Sequence, residues 1–446
     1  MSVLSNDGST WLTKLKRIGE LSAGNKEMVF NNIGHILSVT MLRELFYELD
    51  WKKAVGIDGV TKEIYGENLQ ENLEDLLNSI RRGTYKPQPS RQVEIPKENG
   101  ETRPLAISCL EDKLVQLAVS KILTEIYEPL FLPCSYGFRP NVGCHDALRA
   151  LHQSTYQYWD GAVVEIDIRK YFNTIPHQEL RNILRKKISD KRFLRLIDVL
   201  INTPILIGKE KHANTQGCGQ GSIASPILAN IYMHHVIDEW FESIKQTHIK
   251  GDAQLIRYAD DMVFVFQSRN QAERFYEVLP KRLEKFGLQL HLDKSSLVPC
   301  GHNAIQRLKQ AGKHLQTFQF LGFTCYWGKS RRGFWRLKYT SRRDRFTAAL
   351  KRLRKFLWDN LSAPDTNEIL FIVRCTVQGW VNYHAVSDND RRVGSFIHYS
   401  KRILFAWFNR RGRKHPLSWR KFSQILMEMQ FPESYKTISM FSKLTK

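Results

Sequence analysis

Residues 254–267 read QLIRYADDMVFVFQ: two β-rich apolar arms meet at an adjacent pair of acids, Asp260 and Asp261. Runs of Leu, Ile, Val and Phe of this length favour strands, so the acids fall where two strands turn toward solvent. Like charges side by side repel, and carboxylates held against apolar strands lose hydration. A divalent cation relieves both costs. Mg²⁺ takes oxygen ligands at about 2.1 Å and keeps phosphate oxygens and water in its remaining positions. An arbitrary Asp-Asp dipeptide is usually no more than a polar hairpin turn, so the surrounding chain has to decide.

Upstream, GAVVEIDI (161–168) is a second apolar run that ends in an acid, Asp167. Three carboxylates on neighbouring strands suffice for two ions about 3.5–4 Å apart, the spacing that serves an in-line displacement at phosphorus. Further out, RQVEIPKENGETRPLAI (91–107) reads as two short strands around Glu98-Asn99-Gly100, a tight hairpin carrying several positive charges. The stretch from Leu42 to Arg82 reads as helices broken by VGIDGV, residues 111–128 look helical, and PLFLPCSYGFRPNVG (129–143) is a loop. Helical periodicity returns at 271–286. Strand signals follow in LQLHLDKS (288–295) and FQFLGFTCYW (318–327), and from about residue 340 the pattern is helical only. No internal repeat or low-complexity segment interrupts this order.

Composition narrows the function classes. The chain has 446 residues, enough for two or three lobes. Its apolar residues are dispersed, and no run reaches the roughly 18 needed to span a bilayer. The start, MSVLSNDGSTWLTKLKRIGE, lacks the apolar core of a secretory signal, so a soluble cytoplasmic protein is expected, with no membrane partner. Seven cysteines form no C-x-x-C pair, which argues against a zinc or disulfide framework. The histidines show no H-E-x-x-H spacing. A net charge of +22 points to a polyanionic partner. From Arg331 onward there are 25 Lys and Arg against 8 Asp and Glu, so an excess of 17 lies in the last quarter. Aromatic residues interleave with this charge in WRLKYTSRRDRF and RILFAWFNRRGRKHPLSWRKF, the mixture that nucleic-acid grooves use for stacking and phosphate contact.

With these motifs in view, the chain resembles the reverse transcriptases. YADD between apolar strands is similar to their signature. EIDIRKYFNTIPH (165–177) resembles their first metal-binding motif, and QGCGQGSIASPILANIY (216–232) their template and nucleotide motif. GLQLHLDKS and FQFLGF resemble the two motifs that follow, in the family's order over residues 93–323. More narrowly, KAVGIDGVTKEIY, YKPQPSRQVEIPKENGETRPLAI, SYGFRPN and VQGWVNYH resemble the reverse transcriptase/maturases of bacterial group II introns, over about residues 40 to 420.

The resemblance implies a right-hand polymerase: α/β in class, with an α+β palm, fingers and an all-helical thumb. The expected division is an N-terminal extension with the start of the fingers (1–92), fingers and palm (93–333), a helical thumb or maturase domain (334–412) and a short basic tail (413–446). It implies two Mg²⁺ ions, with Mn²⁺ as a substitute, on Asp167 and Asp260, helped by the Ile168 carbonyl and completed by Asp261. Lys97 and Arg103 would grip the triphosphate of an incoming dNTP, Phe172 would lie under its sugar as a gate against ribose, and Gln220 and Lys294 would sit beside the nucleotide. Arg139, Arg342, Arg343, Lys351, Arg352, Arg410 and Arg411 are the expected contacts to RNA template, DNA primer and a structured cognate RNA such as a group II intron.

Two positions depart from the family pattern. Gly219-Gln220-Gly221-Ser222 stands where P-Q-G-G is common, and Asn173 where an aspartate is common. Three readings stay open: an intron-encoded enzyme that aids splicing and copies its RNA, associated with the nucleoid when acting on DNA; a free-standing relative used in phage defence or DNA repair; and a non-catalytic RNA-binding splicing cofactor. No cysteine-paired endonuclease module follows, so cleavage of a second DNA strand by this chain is not expected.

Overall fold

The computed structural model describes residues 10–50, 53–96, 102–412 and 416–441. In chain order its strands are β1 (Ser90–Pro96), β2 (Thr102–Ile107), β3 (Gly161–Ile166), β4 (Ile205–Ile207), β5 (Glu210–His212), β6 (Ala253–Tyr258), β7 (Asp261–Phe266), β8 (Ser296–Cys300), β9 (Phe318–Phe320), β10 (Phe323–Lys329) and β11 (Trp335–Ser341). They make three sheets, ordered β2-β1-β4-β5, β6-β7-β3-β8 and β11-β10-β9. With the helices around them they form a mixed α/β fold. The hairpin read at 91–107 is β1 paired with β2, Ile95 opposite Arg103. Its Asn-Gly turn and Lys97 lie outside the described residues.

The four-stranded sheet β6-β7-β3-β8 sits between two cores, which explains why its strands are apolar on both faces. Alternate side chains point to opposite sides of a strand. Ala162, Val164 and Ile166 on β3, with Met262, Phe264 and Phe266 on β7, enter the large core. Helices Leu110–Tyr127, Ser225–Met233 and Arg269–Lys285 build that core with them. Val163, Val263 and Val265 face the other way, toward helix Cys144–Gln157 and the sheet β11-β10-β9.

Helices Arg343–Asp359, Thr366–His384, Asp390–Arg411 and Trp419–Glu428 surround a third core that includes Phe346, Val373, Val377, Phe396, Trp407 and Phe422. The helical run therefore begins at Arg343, after β11. Past Arg411 the chain adds the helix Trp419–Glu428, whose N-cap Ser418 accepts from the Lys421 N–H. It then returns to pair Ile438 with Val386 and to bury Met440 against the outer face of the central sheet.

Candidate active site

The acid pair lies at the β6–β7 turn, with Tyr258 opposite Asp261. β3 runs antiparallel to β7 with Ile166 opposite Met262, so one residue further on Asp167 reaches the same end of the sheet as Asp261. The register of three strands thus gathers Asp167, Asp260 and Asp261. The three carboxylates lie within one another's fields. Enclosure pushes the Asp260 carboxyl up, the charge of Asp167 adds to it, and the guanidiniums of Arg103 and Arg257 oppose it. Water still reaches the Asp261 side chain. Even so, the protein crowded around it removes hydration and pushes this carboxyl up to about 7, with Asp260 and Asp167 adding and Arg345 opposing. Asp167 is fixed through its backbone: its N–H donates to Ser295 Oγ at 3.2 Å and its carbonyl accepts from the His291 N–H at 2.8 Å. Its carboxylate lies 3.5 Å from Lys294 Nζ.

Carboxylates that raise one another's proton affinity are a donor set suited to a hard divalent cation. Among the described residues, however, no three acidic, histidine or cysteine side chains converge as a ready-made cage. Mg²⁺ is typically held by one or two carboxylates plus substrate phosphates, so an open acidic rim is compatible with it. Ile168, whose carbonyl was expected to help, is buried and bridges to Leu290.

A buried arginine that the sequence reading passed over holds the turn. Arg257 is fully inaccessible, and all five of its N–H groups are matched. They donate to both oxygens of Asp238 at 2.7 and 2.6 Å, to Asn230 Oδ1 at 3.0 Å, to the Ala259 carbonyl at 3.2 Å and to Ser135 Oγ at 2.7 Å. The Ala259 bond matters because Ala259 has a φ of 58°, a left-handed conformation that costs a non-glycine residue energy and persists only under tight surroundings. The SYGF loop supplies them. Tyr136 N–H donates to the Arg257 carbonyl, Arg257 N–H donates to the Cys134 carbonyl, and Asn230 holds the Gly137 carbonyl. A Cβ on Gly137 would stand 2.4 Å from the Ala259 nitrogen, so only glycine lets the loop lie this close. A lone arginine inside an apolar strand, requiring compensation, was the available signal in QLIRYADD.

The expected nucleotide contacts come together in part. Arg103 on β2 is near enough to Asp260 for its charge to be felt. Phe172, on the short helix Tyr171–Thr174, is half-buried and meets the exposed Phe138 ring edge to face at 6.4 Å. Phe138 has a φ of 56°, so this loop aromatic is held in a strained backbone beside Phe172. Gln220 is anchored by its carbonyl, which accepts from the Ala106 N–H at 2.6 Å, while its buried side-chain Oε1 has no partner among the described residues. The departure at Gly219 has a structural reason. Gly219 has a φ of 64°, which proline, fixed near −65°, cannot adopt.

The expected nucleic-acid contacts divide. Arg343, Lys351 and Arg352 are exposed on helix Arg343–Asp359. Arg342 pairs with Asp344 at 2.5 Å, and the Arg410 guanidinium stacks 4.2 Å over Trp358. Arg139 and Arg411 serve the fold instead. Arg139 grips Glu128 with two nitrogens and the carbonyls of Leu132 and Ser135 with a third. Arg411 lies 5.2 Å over Trp407 and donates to the Ala363 carbonyl. Arg345, unmarked in the sequence reading, is the helical-region cation whose field reaches Asp261.

Residues 95–325 match the family model described as "Reverse transcriptase (RNA-dependent DNA polymerase)", more than half of the chain. The chain belongs to the reverse transcriptase family. Among curated relatives, this reverse transcriptase is 32% identical over 298 residues to protein YkfC of Escherichia coli K12, covering 58% of this chain and 77% of that one. It is 34% identical over 226 residues to the group II intron-encoded protein LtrA of Lactococcus lactis subsp. cremoris, 50% of this chain and 37% of LtrA. It is 39% identical over 175 residues to a 91 kDa protein in a cob intron of Schizosaccharomyces pombe, 39% of this chain and 21% of that one. It thus spans most of YkfC but well under half of the two intron proteins. No helix among the described residues of the reverse transcriptase is long and apolar enough to cross a membrane.

Proposed function

We propose that this chain copies RNA into DNA by two-metal nucleotidyl transfer and binds a structured RNA of group II intron type. The observation that carries the reading is the meeting of Asp167, Asp260 and Asp261 at one end of the central sheet, within the field of Arg103. Asp167 and Asp260, completed by Asp261, would hold two Mg²⁺ ions, which supply Lewis-acid activation of the primer 3′-hydroxyl and charge neutralisation at the leaving pyrophosphate. Arg103 would meet the triphosphate with a guanidinium fork, and Lys97, seven positions after Ser90 in the sequence, would add a point charge. The 3′-oxygen gives its proton to solvent, forms the new bond to the α-phosphorus, and the bond to the bridging oxygen breaks to release pyrophosphate. Lys294, beside Asp167, steadies that carboxylate from the solvent side. Helix Arg343–Asp359 offers Arg343, Lys351 and Arg352 to phosphates without reading sequence, so binding should weaken steeply with salt. The match to LtrA supports the intron-type partner.

Purified protein should extend a DNA primer on an RNA template with Mg²⁺ and deoxynucleotides. Wild-type inactivity across varied templates would defeat the reading. The Phe172 ring, backed by Phe138, would act as the sugar gate, so Phe172→Ala should raise ribonucleotide incorporation about tenfold or more, a change worth roughly 1.4 kcal/mol of discrimination. Unchanged sugar selection, measured with paired deoxy- and ribonucleotides, would return Phe172 to a packing role.

A further inference from the structure

The end of the central sheet opposite the acids carries a second cluster of unexplained side chains. β3 begins at Gly161, and at about 3.3 Å per residue its length separates that end from Asp167 by roughly 20 Å. There Trp159 and Phe334 stay 54% and 42% exposed. Both meet the His302 ring edge to face, at 5.5 and 5.2 Å, and each other at 6.1 Å. Beside them opens a cavity of about 370 Å³ lined by His302, Phe334, Trp335, Lys309, Lys329 and Arg332, with no acid in its wall.

The cluster is built rather than incidental. The Trp159 carbonyl accepts from the Asn303 N–H at 2.8 Å, tying it to helix His302–Gln310. His302 Nδ1 accepts from the Trp335 N–H at 3.0 Å, so the neutral ring carries its proton on Nε2. Asp160, next to Trp159, is neutralised by Arg307. Lys329 Nζ stands 5.6 Å from the centre of the Trp335 ring.

We infer that this cavity binds an unpaired nucleotide of an RNA strand outside the catalytic cleft. Its volume falls within the range of small-ligand sites. Exposed aromatic faces stack any base, and cations without a competing acid attract the flanking phosphates. That the strand is RNA rests on the proposed copying reaction, in which the uncopied template is unpaired RNA while the DNA product leaves paired.

The test irradiates the full chain with a short unstructured RNA containing 5-iodouridine, and in parallel with DNA of the same sequence carrying 5-iodo-deoxyuridine. No Mg²⁺ or deoxynucleotides are present, and adducts are mapped by mass spectrometry. The RNA should mark peptides carrying Trp159 or Phe334. Combining Trp159→Ala with Phe334→Ala should remove that adduct and weaken RNA binding about tenfold. Extension of a primer–template with a single-nucleotide overhang should keep its wild-type rate. Lys329→Gln, a surface change that does not test folding, should lower the salt slope of RNA binding by about one. Adducts confined to other peptides, equal marking by DNA, or unchanged affinity in the double variant would overturn the inference. Because the cross-link needs no catalysis, an inactive polymerase with an intact adduct would sink only the copying reaction, and an active one without the adduct only this site.

Discussion

Asp260→Asn should reduce primer extension by at least about a thousandfold while leaving RNA affinity and folding intact. A metal ligand contributes several kcal/mol of charge stabilisation in the transition state, and each 1.36 kcal/mol is tenfold in rate. The amide has nearly the shape of the carboxylate, so packing at the turn is preserved. Stability should hold or rise. A carboxyl whose folded pKa is raised above its unfolded value destabilises the fold once pH exceeds the unfolded pKa, and the variant removes that ionised group at neutral pH. Thermal unfolding near pH 7 should therefore give a midpoint at or above wild type. A lower midpoint accompanied by the activity loss would mean that Asp260 acts on the fold, not on the chemistry.

The second large effect is expected at Arg257. Arg257→Met leaves the fully buried Asp238 with, among the described residues, only the His234 ring, 3.4 Å away, beside its carboxylate, which should cost about 3–5 kcal/mol in denaturant unfolding. Adding Asp238→Leu should recover much of that loss, because a buried ion pair replaced by apolar residues of similar volume is often neutral or better. Activity should not return with it. The double variant still lacks the donors that hold the Ala259 carbonyl, Asn230 and Ser135, and with them the left-handed turn that aims Asp260. Recovery of both stability and extension rate in the double variant would reduce Arg257 to packing.

These two sites show what the sequence could and could not disclose. The acids were legible because their chemistry is local: two apolar arms and the dipeptide between them already force a turn bearing two charges. The β1–β2 hairpin and helix Leu69–Arg82 were legible for the same reason, since period and turn residues specify them within a few positions. Arg257 was not, because its partners stand 19, 27 and 122 residues away and only the folded sheet brings them together. Arg139 and Arg411 looked like surface cations for nucleic acid, and only three-dimensional packing shows them bonded to carbonyls and rings. The start of the helical run at Arg343 was blurred by β11, whose WRLKYTS alternates charge with aromatics and reads equally well as a basic helix face. The Trp159–Phe334 pair joins residues far apart in the chain, beyond the reach of any periodicity argument.

The helical unit meets the sheets at one end only among the contacts described. The last turn of helix Thr366–His384 and the loop after it carry that joint: Asp388 takes both nitrogens of Arg336 at 2.6 and 2.7 Å, Asn389 accepts from the Ser341 N–H, and Tyr383 O–H donates to the Leu321 carbonyl. Ile438 and Met440 clamp the same loop from the far side. The unit is therefore a lever pinned at its base. Helix Asp390–Arg411, 22 residues at 1.5 Å each, is an arm of roughly 33 Å, so a turn of about 10° at the pin carries its far end through roughly 6 Å. A change of angle at the few residues around Asp388 would therefore shift the far end of this helix by several ångström with neither body having to bend.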